Sequence, residues 1–417
     1  MKNDWFKIFF ENDGVIRIEF SPSKDRFWPP SVLQTAPIPL QDIADRQIQR
    51  AVINGPGSVW MYAYAAANLA GAGVTDIEVA SLVISESNDD FSEKECQWCA
   101  GATGSDAALL KIDLQRHLSG AAIERLIRNV DSVLRANRPT ELLISGRASA
   151  LIYARVAQQA VLAGVNRIVC LSARDGIVEI YRQSDENVRG PIEVPQWAVS
   201  GLSKPEKPLV IGVLGDPNHG KSLFSETLDW YRSEIGIDGW LLDCDGQSPT
   251  SPWYLSMTQA KRGQEANDLR QRNKVPWTDE MERLIVRQLQ RARETFPVLI
   301  ADLPGGNFRV DPPQRIPNGR ERILREIDGI ILMDSQSSNS EQAWRNELQR
   351  HGLESRIFAV IESRAPLGSP SLSVEEDGIL LRGVATGLDR KSCATTARVD
   401  AYRYGMERLW RHVFERS

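Results

Sequence analysis

Along most of the chain, short apolar runs alternate with longer segments of helical period, which is the pattern of an α/β protein. Val15-Ile-Arg-Ile-Glu-Phe alternates apolar and polar positions and predicts a strand with one face buried. Short apolar runs at Val52 and Leu143 each lead into a glycine turn and an alanine-rich segment, so each predicts a strand followed by a helix. Those helices begin at Ser58 and Ser149, residues suited to an N-cap. Farther on, Leu209-Val-Ile-Gly-Val-Leu-Gly, Gly239 to Gly246, Pro297 to Asp302, Asp328-Gly-Ile-Ile-Leu-Met and Arg356-Ile-Phe-Ala-Val-Ile predict strands. Between and after them, Thr278 to Thr295, Ser340 to His351 and Ala397 to Phe414 read as helices, and Gly378-Ile-Leu-Leu-Arg-Gly-Val adds a hairpin. That alternation is the doubly wound arrangement, which places a ligand at the carboxyl ends of the strands.

The first half repeats itself. Val52-Ile-Asn-Gly-Pro-Gly-Ser-Val-Trp-Met-Tyr-Ala-Tyr returns as Leu143-Ile-Ser-Gly-Arg-Ala-Ser-Ala-Leu-Ile-Tyr-Ala-Arg, so that Gly55, Ser58 and Tyr62 fall on Gly146, Ser149 and Tyr153. Val15–Phe20 is echoed by Leu109–Leu114, and Ala72-Gly-Val by Ala163-Gly-Val. Two copies of one unit suggest a pseudo-twofold pair like a fused homodimer. Expected boundaries are 1–95 for the first α/β unit, 105–185 for the second, 186–207 for a proline-punctuated linker and 208–417 for a final domain.

Composition narrows the classes. A chain of 417 residues that is 42% hydrophobic has material for real cores. No apolar run reaches the length of a membrane span, and the start Met-Lys-Asn-Asp-Trp does not resemble a cleavable signal, so a cytoplasmic location is expected. A net charge of −5 argues against bulk binding of nucleic acid. Five scattered cysteines do not form a disulfide framework, and Cys96-Gln-Trp-Cys99 lacks the further ligands of a zinc site, leaving two thiols on a surface connection.

The sharpest chemistry lies between Gly215 and Ser222, which fit G-x-x-x-x-G-K-[ST] without a mismatch and stand between a predicted strand and a predicted helix. Glycines let a backbone wrap a phosphate, and amides at a helix start point at the anion. Gly215, Asp216, Pro217, Asn218, His219, Gly220, Lys221, Ser222 and Leu223 are the candidate nucleotide contacts, with Lys221 on the phosphates and Ser222 on Mg²⁺. Asp302, at the end of an apolar strand, is the candidate carboxylate for the metal or its water, with Asp243 and Asp245 as competitors. The alternative reading of Asp302 is the opening of a Leu-Pro-Gly-Gly turn. The polar stretch 260–274 is either a lid carrying a cation or a solvated excursion.

The run Ile53-Asn-Gly-Pro-Gly-Ser-Val-Trp-Met-Tyr-Ala-Tyr resembles the signature of the CRISPR-associated ring nucleases, relatives of the CRISPR-associated Rossmann-fold sensors. The resemblance covers about Trp5 to Tyr181 and implies a dimer-like pair of units that binds cyclic tetra-adenylate and cleaves it with a metal ion, in some members fused to a C-terminal P-loop domain. The duplicated turns make Gly55, Gly57, Ser58, Gly146 and Ser149 candidate ring contacts, with Trp60 and Arg147 close by in sequence and Arg174 surviving from the family's pattern; the alternative is that the glycines only permit tight strand-to-helix turns and that Trp60 is core. Where the family carries a His and then Asp-x-Arg, this chain has Ala67 with Ser81-Leu-Val83, and Gln158 with Ser172-Ala-Arg174. The resemblance thus implies ring recognition more directly than ring cleavage. Asp-Cys-Asp-Gly-Gln and Asp-Leu-Pro-Gly are similar to motifs of the partitioning ATPases and related small-molecule kinases, but position 216 is Asp, so the extra lysine that the former carry early in the loop is missing.

The expected protein is therefore α/β throughout: two tandem Rossmann-like sensor units, then a doubly wound P-loop NTPase domain. It would use ATP and Mg²⁺ at catalytic Lys221, Asp302 and Asp243, with Mn²⁺ for any ring cleavage, and couple that site to cyclic oligoadenylate binding. The alternatives are a small-molecule or nucleotide kinase with an N-terminal dimerisation module, a ring nuclease, and a non-catalytic ATP-binding assembly switch, any of them as a homo-oligomer.

Overall fold

A computed structural model of the chain describes residues 5–11, 14–21, 28–55, 57–79, 91, 95–100, 106–114, 118–172, 175–183, 190–191, 208–246, 263–272, 276–294, 296–308, 310–317, 319–335, 340–364, 368–389 and 395–416. The chain folds as two compact units, Met1–Leu202 and Ser203–Ser417. The division falls inside the stretch 186–207, of which only Gly190–Pro191 is described. Among the described residues, no helix is long and apolar enough to cross a membrane.

The first unit holds two sheets. Strands β1 (Phe6–Glu11) and β2 (Val15–Phe20) pair antiparallel, helices α1 (Val32–Thr35) and α2 (Leu40–Asp45) follow, and β3 (Arg50–Asn54) lies parallel to β2. Helix α3 (Val59–Gly71) then crosses to β4 (Asp76–Val79), which is parallel to β3. The alternation in β2 buries Ile16, Ile18 and Phe20 and leaves Arg17 and Glu19 exposed.

The second sheet repeats the parallel part. Strand β5 (Cys96–Ala100) runs antiparallel to β6 (Ala107–Ile112); after α4 (Gly120–Asn137) comes β7 (Glu141–Ser145), parallel to β6. Helix α5 (Ala150–Leu162) leads to β8 (Arg167–Ser172), parallel to β7, and β9 (Gly176–Arg182) and β10 (Gly190–Pro191) close the sheet antiparallel. Cys96 and Cys99 thus sit in an edge strand rather than on a surface connection, because the strand pairs them with Ile112 and Leu109. Both thiols are free, and burial pushes Cys96 up to about 11.

Helices α3 and α5 pack against one another. From Trp60 to Ala70 every residue of α3 is buried, since a helix apolar all round has neighbours on every side. Polar contacts join the two halves there: Trp60 Nε1 donates to Asp175 Oδ2 (2.9 Å), Asn68 Nδ2 to the Ile180 carbonyl (2.8 Å) and Gln158 Nε2 to the Thr75 carbonyl (2.8 Å).

The second unit is built on one sheet. Its strands are β11 (Leu209–Gly215), β12 (Gly239–Asp243), β13 (Val298–Asp302), β14 (Gly329–Ser335), β15 (Ile357–Ser363), β16 (Ser371–Asp377) and β17 (Leu380–Thr386), in the order β12-β13-β11-β14-β15-β17-β16. All neighbours are parallel except β16 with β17, the hairpin turning at Gly378. The helices are α6 (Lys221–Glu234), α7 (Gly263–Arg272), α8 (Asp279–Arg293), α9 (Glu321–Arg325), α10 (Ser340–Arg350) and α11 (Thr395–Arg416). The central strands read as unbroken apolar runs because both faces of a parallel sheet are covered, and β13 is buried along its whole length. Thr278 caps α8 by accepting from the Met281 amide (3.1 Å). Of the polar stretch 260–274, the described part, Gly263–Arg272, is helical; the rest lies outside the described residues.

Candidate nucleotide site

The segment from Leu209 to Glu234 is a buried strand, a tight loop and a helix in direct succession. Gly215 (φ 151°), Asn218 (φ 66°) and Gly220 (φ 81°) have positive φ, so the backbone curls back before α6 begins at Lys221. Side chains would not fit at two of these positions: a Cβ on Gly220 would approach Leu388 at 2.8 Å, and one on Gly215 would run into the Met333 carbonyl. Pro217 and Asn218 are exposed, His219, Lys221 and Ser222 half-buried. The Leu223 side chain is buried.

Two neighbouring strands complete the site. The register sets Asp302 beside Val213 on one side and Asp243 on the other, placing both carboxylates at the carboxyl end of the sheet next to the loop. Cys244 reports how closely the acids gather: burial pushes its thiol well up, and the charges of Asp243, Asp302 and Asp245 push it further. After Asp302 the chain passes directly over the loop. A Cβ on Gly305 would stand 3.1 Å from Lys221 Nζ and 3.0 Å from the Pro217 nitrogen, so glycine keeps space open beside the ammonium. Lys221 Nζ donates to the Asp216 carbonyl (3.0 Å).

Asp216 itself points away from a ligand-holding role. It is 6% exposed, and its carboxylate accepts from Arg315 Nε (3.1 Å) and Nη2 (2.9 Å) and from Trp344 Nε1 (2.7 Å). Asp216 keeps its backbone place in the loop, while its side chain serves as an internal strut. Arg315 and Trp344 escaped the sequence reading because they lie outside any motif and meet the loop only through the fold; Gly305 stood inside the Asp-Leu-Pro-Gly motif, but its approach to Lys221 is set by the fold.

The fit to Mg²⁺ rests on the donor set. Among the described residues, no group of three or more His, Cys, Asp or Glu side chains is arranged to hold an ion. The Ser222 hydroxyl and the Asp302 and Asp243 carboxylates supply hard oxygen donors at one end of the sheet, which suits an ion that takes few protein ligands and shares the substrate's phosphate oxygens.

In the first unit the two glycine turns match in detail. Gly55 (φ 97°) and Gly146 (φ 100°) have the same backbone sign, and the hydroxyls of Tyr62 and Tyr153 donate to their respective carbonyls. Added side chains would strike the backbones of Phe20 and Ile112, so each glycine is required by close strand packing. Ser149 caps α5 by accepting from Ile152 N (3.4 Å), and Ser58 stands before α3 in the same extended conformation. Gly57 is exposed beside Phe20, and Arg147 pairs with Asp113 (3.6 Å). Trp60 is fully buried, so it is a core residue bonded to Asp175 and not an accessible stacking ring. Ala67 is buried, Gln158 is spent on Thr75, and Ser172 Oγ donates to Asp175 Oδ2 (3.0 Å). Arg174, Ser81 and Val83 lie outside the described residues.

No protein-family model matches the chain, and no curated protein matches it. Solved structures match in part. The signal recognition particle 54 kDa protein of Aeropyrum pernix K1, in complex with GDP, is 15% identical with a TM-score of 0.29, over 50% of each chain. The signal recognition particle receptor FtsY of Elizabethkingia anophelis is 16% identical with a TM-score of 0.23, over 38% of this chain and 51% of that one. The cell division protein FtsY of Thermotoga maritima is 13% identical with a TM-score of 0.24, over 49% of this chain and 61% of that one. The chain thus spans 50% to 61% of the length of these three structures.

Proposed function

We propose that the second unit is a Mg²⁺-dependent P-loop nucleoside triphosphatase or phosphotransferase, working on ATP. The observation that carries this is the coincidence of Lys221, the Gly215–Gly220 turn, Gly305 and Asp302 at one end of a parallel sheet. The loop amides would bind the phosphates, and Lys221 would leave the Asp216 carbonyl to meet their charge. Ser222, Asp302 and Asp243 would hold Mg²⁺, which neutralises charge on the phosphates. Catalysis of this kind is mostly positioning and electrostatics. Lys221→Ala tests the reading: phosphate release, or transfer to an added acceptor, falls by about a hundredfold or more while the melting temperature stays put. Unchanged turnover in the folded variant refutes it.

A second reading concerns the first unit, and the matched turns at Gly55 and Gly146 around the paired helices favour it. A pseudo-symmetric pair of helix starts suits a pseudo-symmetric anion, and the cyclic oligoadenylate implied by the sequence resemblance is such a ligand. Ala67, Gln158 and Ser172 offer no general base there, so binding with little cleavage is expected. Calorimetry with cyclic tetra-adenylate and manganese, followed by chromatography of the products, checks both halves. Absence of heat at high micromolar ligand removes the sensor reading, and a change in ATP turnover on adding the ring would support coupling of the two activities.

A further inference from the structure

A carboxylate inside a loop that must hold a polyanion has the wrong sign. Two negative groups at close range repel, and more strongly where protein replaces water. Asp216 would therefore oppose phosphate binding unless its charge were cancelled. Its setting does this: both carboxylate oxygens face the guanidinium fork of Arg315, and Oδ1 also accepts a hydrogen bond from the Trp344 indole N–H. The side chains of Asp216 and Arg315 are 9% and 17% exposed, so water does little of the neutralising. Arg315 is further fixed over the rings of Phe308 (5.3 Å) and Trp344 (5.9 Å).

Arg315 also belongs to the segment that follows Asp302. That segment passes Gly305 over Lys221, then closes on itself where Asn307 N donates to the Gln314 carbonyl (2.7 Å) and Gln314 N to the Asn307 carbonyl (3.0 Å). The next residue is Arg315. The described residues 303–308 and 310–315 are thus tied to the phosphate loop at Gly305 by close approach and at Arg315 by charge.

Resting on the nucleotide-site reading above, we infer that Asp216 and Arg315 are a positioning pair: Arg315 cancels the carboxylate carried by the phosphate loop and holds Gly305 beside the space a terminal phosphate would take, so the pair sets the preference for a nucleoside triphosphate over a diphosphate. The triphosphate carries the extra charge and reaches farther toward Gly305. It is the species that an uncancelled Asp216 would reject.

The test measures ATP and ADP affinity by calorimetry, in Mg²⁺ and low salt, for the wild-type chain, Arg315→Ala, Asp216→Asn and the double variant. Arg315→Ala is expected to weaken ATP about tenfold more than ADP, the scale of one close like-charge contact partly screened by solvent. Removing both charges in Asp216→Asn/Arg315→Ala should restore the wild-type ratio of ATP to ADP affinity; a merely structural ion pair would show in the melting temperature of the single variant and leave that ratio unchanged throughout. Equal weakening of both nucleotides by Arg315→Ala, or a double variant no better than Arg315→Ala, overturns the pair. If Arg315→Ala does not fold, Arg315→Gln keeps most of the aliphatic stem and a hydrogen-bond donor without the charge and takes its place in the same cycle. A wild-type chain that binds neither nucleotide instead refutes the nucleotide site itself, an outcome separate from failure of the cycle.

Discussion

Gly305→Ala is the most local perturbation the site allows. Unlike Gly215 and Gly220, Gly305 is not among the residues with positive φ, so alanine is tolerated by the backbone and only the new methyl matters. That methyl would lie 3.0 Å from the Pro217 nitrogen and 3.1 Å from both Pro217 Cδ and Lys221 Nζ. Comfortable carbon contacts need about 3.5 Å or more, so the loop and the lysine must give way by a few tenths of an ångström. The lysine stem adjusts readily, whereas Pro217 moves only with the loop. The cost to folding should be about 1 kcal/mol, as for mild overpacking. Turnover should suffer more, because misplacement by about 1 Å costs on the order of a hundredfold and a few tenths correspond to roughly threefold to tenfold. Steady-state kinetics of phosphate release beside a melting curve separates the two effects. A variant with wild-type kcat and KM would refute the claim that Gly305 borders the working part of the site.

Two further outcomes are expected elsewhere. Gly146→Ala should destabilise the first unit by roughly 3 kcal/mol or more, since it combines a φ of 100° with a Cβ 2.6 Å from the Ile112 carbonyl carbon; urea unfolding of the variant measures it, and a loss below about 1 kcal/mol would contradict the packing. Glu282 is fully buried, and that burial holds its carboxyl above the ordinary carboxylate value, so its neutral form is favoured in the folded chain. Its contribution to stability is therefore best at acid pH and declines as pH rises from the unfolded pKa through the raised folded one; Glu282→Gln should flatten that decline in melting temperature, and an unaltered pH profile would count against it.

Much of the frame was legible in the chain. The apolar runs located β11 to β15 of the second unit, and the loop pattern placed Gly215, Gly220 and Lys221 between strand and helix, because these are local demands of backbone geometry and burial; the hairpin expected from Gly378 begins earlier, at β16, whose polar alternating face gave no apolar run. The repeat was legible too, since Gly55 and Gly146 answer the same close approach to a neighbouring strand. Strand β9 was missed: it adds antiparallel to an otherwise parallel motif, and alternation within one short segment does not tell which neighbour it will take.

What the tertiary structure decided is who meets whom. Asp216 read as one more loop position, and only the fold brings Arg315 from beyond β13 and Trp344 from α10 onto its carboxylate. Trp60 read as a ring beside a glycine turn, and only the fold buries it and brings Asp175 from the connection between β8 and β9 onto its indole. The physical reason is the same in both cases. Torsion angles and hydrophobic period are properties of neighbours along the chain, whereas cancelling a buried charge or satisfying a buried indole requires a partner whose distance in sequence carries no signal.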